Sequence, residues 1–173
     1  MARVLDVAKY ILERQGPITT LKLQKLAYYA QVWALVNDGE PLFPDAIKAW
    51  AQGPVVPALF QAHKNLRNLD AADLGGSSDG LADAERAHID RVLASYGELP
   101  PAYLSKLTHH ERPWSEAHAS GERLGHKSPS ISVGAIRSFY SGKTPEDLQA
   151  DYQMSIARKV MDEHAESLAY LAL

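Results

Sequence analysis

Chemistry would gather first at Thr108-His109-His110-Glu111-Arg112-Pro113-Trp114. Two adjacent histidines and a carboxylate are donors that a transition metal takes. The helical zinc-hydrolase pattern needs its second histidine four residues after the first, so that both reach one ion from one helix face. Four residues after His110 stands Trp114, and Pro113 would interrupt the helix between them. His118 and His126 complete a set only if the chain folds back on itself. The plainer reading is a loop whose histidines bond to backbone beside a buried Trp114. Other chemistries find no better footing. There is no nucleophile elbow, no phosphate loop and no dinucleotide fingerprint. Gly75-Gly76-Ser77-Ser78 is glycine-rich, but no strand leads into it and no lysine follows at the needed spacing, so it reads as linker. With no cysteine in 173 residues, thiol catalysis, disulfides and thiolate-bound zinc are excluded. We therefore expect no catalytic residue, no metal and no cofactor.

A second constellation lies on a helix. Lys22, Lys25 and Tyr29 share a face distinct from the stripe of Leu23, Leu26 and Ala30. Such a face would bind phosphate, stack bases or meet an acidic protein surface. The bland reading puts Tyr28 and Trp33 in the core and leaves the lysines in water. A net charge of −3 removes the whole-molecule basic field typical of nucleic-acid binders. The run Arg112, Arg123, His126 and Lys127 is modest support for a DNA-binding regulator, and no helix-turn-helix is visible. Nucleic acid is thus the lesser alternative as a partner.

The elements that must position these residues are mainly helices. Apolar residues are 46% of the chain, enough for one sizeable core. Val4, Val7, Ala8, Ile11 and Leu12 draw one stripe, which Gly16-Pro17 ends. Thr19 or Thr20 caps a second helix carrying Leu23, Leu26, Ala27, Ala30, Trp33 and Ala34. Between Glu40 and Pro57 the pattern breaks. Asp45–Trp50 reads as a short helix, and a short hairpin near residues 42–56 is the alternative. Pro57 suits the first turn of a helix whose apolar side runs to Leu66. Asp70–Gly80 is polar, glycine-rich and expected to be mobile. Helices follow over Leu81–Tyr96 and from Pro100-Pro101 to about Thr108, then a short turn at Trp114–His118 and loop from Gly121 to Ser130. Ser132 caps another helix, and Thr144, Pro145, Glu146 and Asp147 start the last one. Its stripe is Leu148, Tyr152, Ile156, Val160, His164, Leu168 and Leu171. The expected fold class is all-α, organised as a domain over 1–142 and a C-terminal helix over 143–173. Met1–Gln15 lacks the apolar run of a signal peptide and no stretch reaches membrane-spanning length, so a cytoplasmic setting without membrane association is expected.

Read together, Leu21-Lys22-Leu23-Gln24-Lys25-Leu26-Ala27-Tyr28-Tyr29-Ala30-Gln31-Val32-Trp33, Pro41-Leu42-Phe43, Ala49-Trp50, Gly53-Pro54-Val55-Val56-Pro57, Leu104–His109 and Pro113-Trp114 carry a resemblance. Ile131 and Phe139-Tyr140 extend it. The chain resembles the Panacea, or SocA-type, antitoxin family over about Met1–Gly142. The resemblance implies a non-enzymatic helical domain that neutralises a cognate protein toxin by direct contact. For the SocA type it implies an adaptor that delivers the toxin to a ClpXP-type protease. It names no particular toxin, since one fold serves many partners.

Two roles for the motif stay open. It is scaffold if Leu23, Leu26, Tyr28, Gln31, Trp33, Gly53, Pro54 and Trp114 serve packing and turns, with Trp50 and Trp114 contributing mainly to folding. It edges a partner groove if Trp50, Val55 and Val56 face outward as anchors. Lys22, Lys25 and Tyr29 are the further candidates for partner contact, and so are Tyr152 and Ile156 on the last helix. That helix is covered by its own domain, a second copy or the toxin. Its end, Leu171-Ala172-Leu173, is similar to tails that ClpXP-type proteases engage.

Overall fold

An eighteen-residue helix, α2 (Thr20–Asn37), is buried along its whole middle, from Leu23 to Leu35. Apolar residues on every side make it a core helix rather than an amphipathic one. Thr19 caps it, its Oγ1 accepting from the Lys22 N–H at 3.1 Å. Around it pack α1 (Val4–Gln15), α4 (Asp83–Tyr96), α5 (Pro101–His110), α7 (Val133–Tyr140) and a hairpin of β2 (Lys48–Trp50) and β3 (Gly53–Val55). These elements, with β1 (Ile18–Thr19), α3 (Pro57–Ala62), β4 (Asn68–Leu69) and α6 (Arg112–Leu124), belong to one compact unit, Met1–Ser141. A second unit, Gly142–Leu173, holds α8 (Pro145–Leu171). This computed structural model describes the backbone of residues 1–171 and side chains through Ala165. The roles expected for Leu168 and for the Leu171-Ala172-Leu173 tail lie outside the described residues.

The mainly helical class holds: among the described residues there are eight α-helices and two two-stranded sheets. The irregular stretch after α2 is the hairpin alternative, not a helix over Asp45–Trp50. Lys48 pairs with Val55, Ala49 with Pro54 and Trp50 with Gly53. The chain over Pro129–Ile131 runs along the free edge of β2, with Ala49 donating to the Pro129 carbonyl and Ile131 to that of Ile47, both at 2.9 Å. A second pair, β1 with β4, joins Ile18 to Leu69 and Thr19 to Asn68. Pro57 does open α3, but that helix stops at Ala62, and Leu66 is exposed rather than part of an apolar side.

Two segments expected to be loop are ordered by contacts far along the chain. Asp70–Gly80 is tied to α1. The Asp6 carboxylate accepts from the Ser77 N–H at 2.9 Å, Lys9 Nζ donates to the Ala71 and Leu74 carbonyls, and Leu74 is buried. Arg3 binds Asp6 through two hydrogen bonds and holds its carboxyl below the ordinary carboxylate range. The stretch after Glu111 is helix α6, thirteen residues long, not a turn at Trp114–His118 and a loop from Gly121. Pro113 sits in the first turn, where a missing N–H breaks no hydrogen bond. Gly121 lies inside that helix because residues 126–129 press on it. A Cβ there would stand 2.5 Å from Pro129 Cγ and 3.0 Å from the His126 oxygen.

Within the second unit, α8 starts as its sequence requires. Thr144 and Asp147 form a reciprocal cap, with Asp147 N–H donating to Thr144 Oγ1 at 3.2 Å and Thr144 N–H to Asp147 Oδ2 at 2.8 Å. Leu148 and Tyr152 are buried, and every residue from Ile156 to Ala165 is exposed.

Candidate functional site

Irregular backbone placed against a buried helix must find hydrogen-bond partners, since an unpaired buried peptide group is costly. α2 supplies them from its own side chains. Gln31 Oε1 accepts from the N–H groups of Leu42 (2.8 Å) and Phe43 (3.1 Å), while its Nε2 donates to the Phe43 carbonyl at 2.9 Å. Gln24 Oε1 accepts from the Val56 N–H at 2.9 Å, and its Nε2 lies 2.9 Å from His63 Nε2. Lys25 Nζ donates to the Pro54 carbonyl at 3.0 Å. Burial pulls the Lys25 amine down to about 7.

Gly53 makes that last contact feasible. Its φ is +107°, and an added Cβ would stand 2.7 Å from Lys25 Cε, 2.8 Å from Lys25 Nζ and 2.9 Å from Thr108 Oγ1. Only a residue without a side chain both adopts that backbone and admits the lysine.

On the other side of α2 lies a buried carboxylate. Glu111, at the junction of α5 and α6, is 1% exposed. The Tyr29 hydroxyl donates to both of its oxygens at 3.1 Å, and Tyr140 donates to Oε2 at 2.6 Å. Tyr28 joins through the Tyr140 hydroxyl at 3.0 Å. Tyr96 stacks on Tyr29 at 4.0 Å, and the Trp33 indole donates to the Tyr96 hydroxyl at 3.2 Å. Burial, and after it the Glu111 charge, pushes the Tyr28, Tyr29 and Tyr140 hydroxyls well above the ordinary phenol range. None of these groups has a route to a reacting partner from outside, so the cluster is an internal brace.

The histidine-rich motif builds a ring stack. His109 lies parallel to Trp114 at 3.8 Å, and Trp114 to His118 at 4.7 Å. Trp114 Nε1 donates to the Trp50 carbonyl at 2.9 Å, pinning α6 to the hairpin. Burial, then the nearby Lys25, lowers the His109 imidazole. Among the described residues no three His, Cys, Asp or Glu side chains gather as metal ligands.

The expected outward face of Lys22, Lys25 and Tyr29 is corrected by this arrangement. Lys25 and Tyr29 are 0% exposed, because the hairpin covers one and α5–α6 the other; only Lys22 reaches solvent. Leu23, Leu26, Tyr28, Gln31 and Trp33 are buried core residues, Gly53 and Pro54 are buried in β3, and Trp114 is half-buried. Val56 is buried too, at the start of α3, and so does not edge a groove. Tyr152 is buried and Ile156 exposed. Trp50 and Val55 do share a concavity. A cleft of about 570 Å³ opens between the start of α2, the hairpin and α3. Its apolar walls are Leu21, Trp50, Val55 and Phe60, with Lys127 and Ser128 at its margin and no carboxylate in the lining. Trp50 meets Phe60 edge-on at 4.9 Å and donates through Nε1 to Ser128 Oγ at 2.7 Å. Phe60 and the role of Glu111 were not legible as site features. Phe60 read as one apolar residue of a short helix, and Glu111 as a member of a histidine motif.

The polar motif residues Gln24, Lys25, Tyr29 and Gln31 of this helical domain are directed inward, onto its own hairpin, the Leu42–Phe43 turn and a tyrosine–glutamate brace. The family model described as antitoxin SocA-like, Panacea domain, matches residues 23–115, and the chain belongs to that family. It is 28% identical over 136 residues to Antitoxin SocA of Caulobacter vibrioides (strain NA1000 / CB15N), covering 69% of this chain and 72% of that protein. No solved structure matches the chain. Family membership supports an antitoxin role and a non-enzymatic one, and implies a toxin as partner. Among the described residues no helix is long and apolar enough to cross a membrane.

Proposed function

We propose that this protein neutralises a cognate protein toxin by direct contact, and that the contact centres on the cleft beside the hairpin. The cleft carries the reading: it is an apolar concavity walled by Leu21, Trp50, Val55 and Phe60, with a cationic margin at Lys127. Such a surface accepts a buried apolar or aromatic anchor, the residue type that dominates interface energies. Three of its walls, Leu21, Trp50 and Val55, belong to the motif segments, and the bonds from Gln24 and Lys25 to Val56 and Pro54 hold the hairpin side of the cleft in place. Delivery of the captured toxin to a ClpXP-type protease is a second step that the family resemblance supports. Its readout is the toxin's lifetime in cells with and without that protease.

The decisive experiment co-expresses the chain with the product of the neighbouring reading frame and measures complex formation. Leu21, half-buried on the cleft wall, is changed to Glu, and Trp50 to Ala. Loss of an interface anchor typically weakens binding by ~2 kcal/mol or more, about thirtyfold. Leu21→Glu is expected to melt like the wild type and to lose the toxin by that factor. Wild-type affinity in folded Leu21→Glu and Trp50→Ala variants would place the toxin surface elsewhere.

A further inference from the structure

Three stretches of chain build the cleft beside the hairpin: α2, the hairpin with α3, and the segment that leaves α6. They span residues 20–37, 46–69 and 123–132, and none contains an Asp or a Glu, although the chain has 21. Helix α6 also packs on β2, but its carboxylates face partners on their own helix. Glu116 pairs with Arg112 at 2.9 Å, and Glu122 faces His118 at 3.8 Å. The surroundings of the cleft are therefore basic in a chain whose net charge is −3.

Strand register fixes where two of the bases stand. Opposite residues of an antiparallel pair share a face, and so do residues two apart on one strand. Lys48 is opposite Val55 and two residues before Trp50, so all three lie on the face of the hairpin that walls the cleft. Lys48 Nζ donates to Ser130 Oγ and Trp50 Nε1 to Ser128 Oγ, both at 2.7 Å, so the two side chains lean the same way. Their backbones stand ~7 Å apart along the strand. Lys127, next to Ser128, lines the cleft on the other side of the indole. Lys64 is exposed beside His63, another lining residue. Lys48, Lys64 and Lys127 have no ion-pair partner among the described residues.

We propose that the part of the toxin held in this cleft is an acidic apolar segment: an aromatic or large aliphatic side chain that enters between Trp50, Val55 and Phe60, flanked by Asp or Glu that meet Lys48 and Lys127. The inference rests on the cleft being the toxin's site. Complementarity of charge selects the flanks, because a basic flank would meet like charge with no carboxylate on this side to offset it. The concave shape selects a side chain. Nucleic-acid bases stack on open aromatic platforms. Here the Trp50 indole meets Phe60 edge-on at 4.9 Å and is tied to Ser128, beside a cavity of about 570 Å³.

The test uses the full-length chain and the product of the neighbouring reading frame, with affinity measured from ~50 to ~500 mM NaCl, a span over which exposed charges become screened. Lys48→Glu and Lys127→Glu each replace an attraction by a repulsion and are expected to weaken binding about tenfold at low salt. The wild-type affinity is expected to fall as salt rises, and that of the double reversal to stay level or rise. Lys64→Glu repeats the design without touching a hydrogen bond, so a misfolded Lys48→Glu leaves the question answerable. In the toxin, changing an Asp or Glu beside an aromatic or large aliphatic residue to Lys is expected to restore binding to Lys127→Glu. If Leu21→Glu and Trp50→Ala lose the toxin while the folded charge reversals keep wild-type affinity and salt dependence, the cleft remains the toxin's site and the acidic segment is wrong. If none of these variants changes toxin binding, the cleft reading falls and this inference falls with it. Charge reversals that abolish binding of a single-stranded oligonucleotide but spare the toxin would assign the basic surface to nucleic acid and overturn the proposal.

Discussion

Lys25 makes a sharp demand on the pH dependence of stability. Its side chain is 0% exposed, its polar partner is the Pro54 carbonyl at 3.0 Å, and no carboxylate among the described residues pairs with it. Burial lowers the amine to about 7 from an ordinary 10.5. Below pH 7 the amine is charged in both the folded and unfolded chains, and the fold carries the whole cost of burying a cation. Above pH 7 the folded chain releases the proton while the unfolded chain keeps it. The unfolded state then binds more protons, and stability rises with pH. Neighbouring titrations leave this window clear. His63 and His109 are depressed below an ordinary 6.5, so their effect is a loss of stability on acidification that is complete before the Lys25 window opens. The buried tyrosines are raised above an ordinary 10, so they destabilise the fold only as the unfolded phenols ionise near and above that value. Between pH 7 and about 9.5 the gain is on the order of 3 kcal/mol, at about 1.4 kcal/mol per pH unit. For a urea slope of ~2 kcal/mol/M this moves the unfolding midpoint up by about 1.5 M. Urea titrations at half-unit steps of pH measure it directly. Lys25→Met keeps the apolar stem and removes the charge, so its midpoint is expected to stay flat across the window. A flat wild type, or a slope that survives Lys25→Met, would refute the burial of an unpaired amine at this position.

Gly53→Ala is expected to destabilise the domain by ~2–4 kcal/mol in thermal or urea unfolding, because a Cβ 2.7 Å from Lys25 Cε adds a clash to a residue held at φ +107°. A wild-type melting temperature would show that the hairpin yields freely at that point. Glu111→Ala leaves the Tyr29 and Tyr140 hydroxyls without their acceptor and is expected to cost ~3–5 kcal/mol, whereas Glu111→Gln retains an acceptor oxygen and is expected to cost clearly less. Equal losses in the two variants would mean that the carboxylate itself, and not merely an acceptor oxygen in a side chain of that size, holds the cluster together.

What could be read along the chain, and what could not, divides by the range of the interaction. Local signals were reliable: Thr19 caps α2, Pro57 opens α3, and Ser132 and Thr144 cap α7 and α8, because each acts on backbone within three residues. Helix-face arithmetic failed at Lys25 and Tyr29. It placed them correctly relative to Leu23 and Leu26, but a lysine beside a tyrosine reads as a solvated edge when nothing local says what covers it. The cover comes from the hairpin and from Glu111, 82 residues beyond Tyr29. The same limitation turned Pro113 into a helix breaker and Gly121 into a loop residue, since the first depends on where the helix starts and the second on how closely Pro129 packs. With those contacts known, the motif has one physical explanation. A hairpin and the Leu42–Phe43 turn lie against a buried helix and need donors and acceptors where water cannot reach. Gln24, Lys25 and Gln31 provide them at fixed rises along α2, and Gly53 leaves the space one of them occupies. Any partner surface must therefore be drawn from residues this internal bonding leaves free, and the walls of the cleft and the exposed half of α8 are two such places.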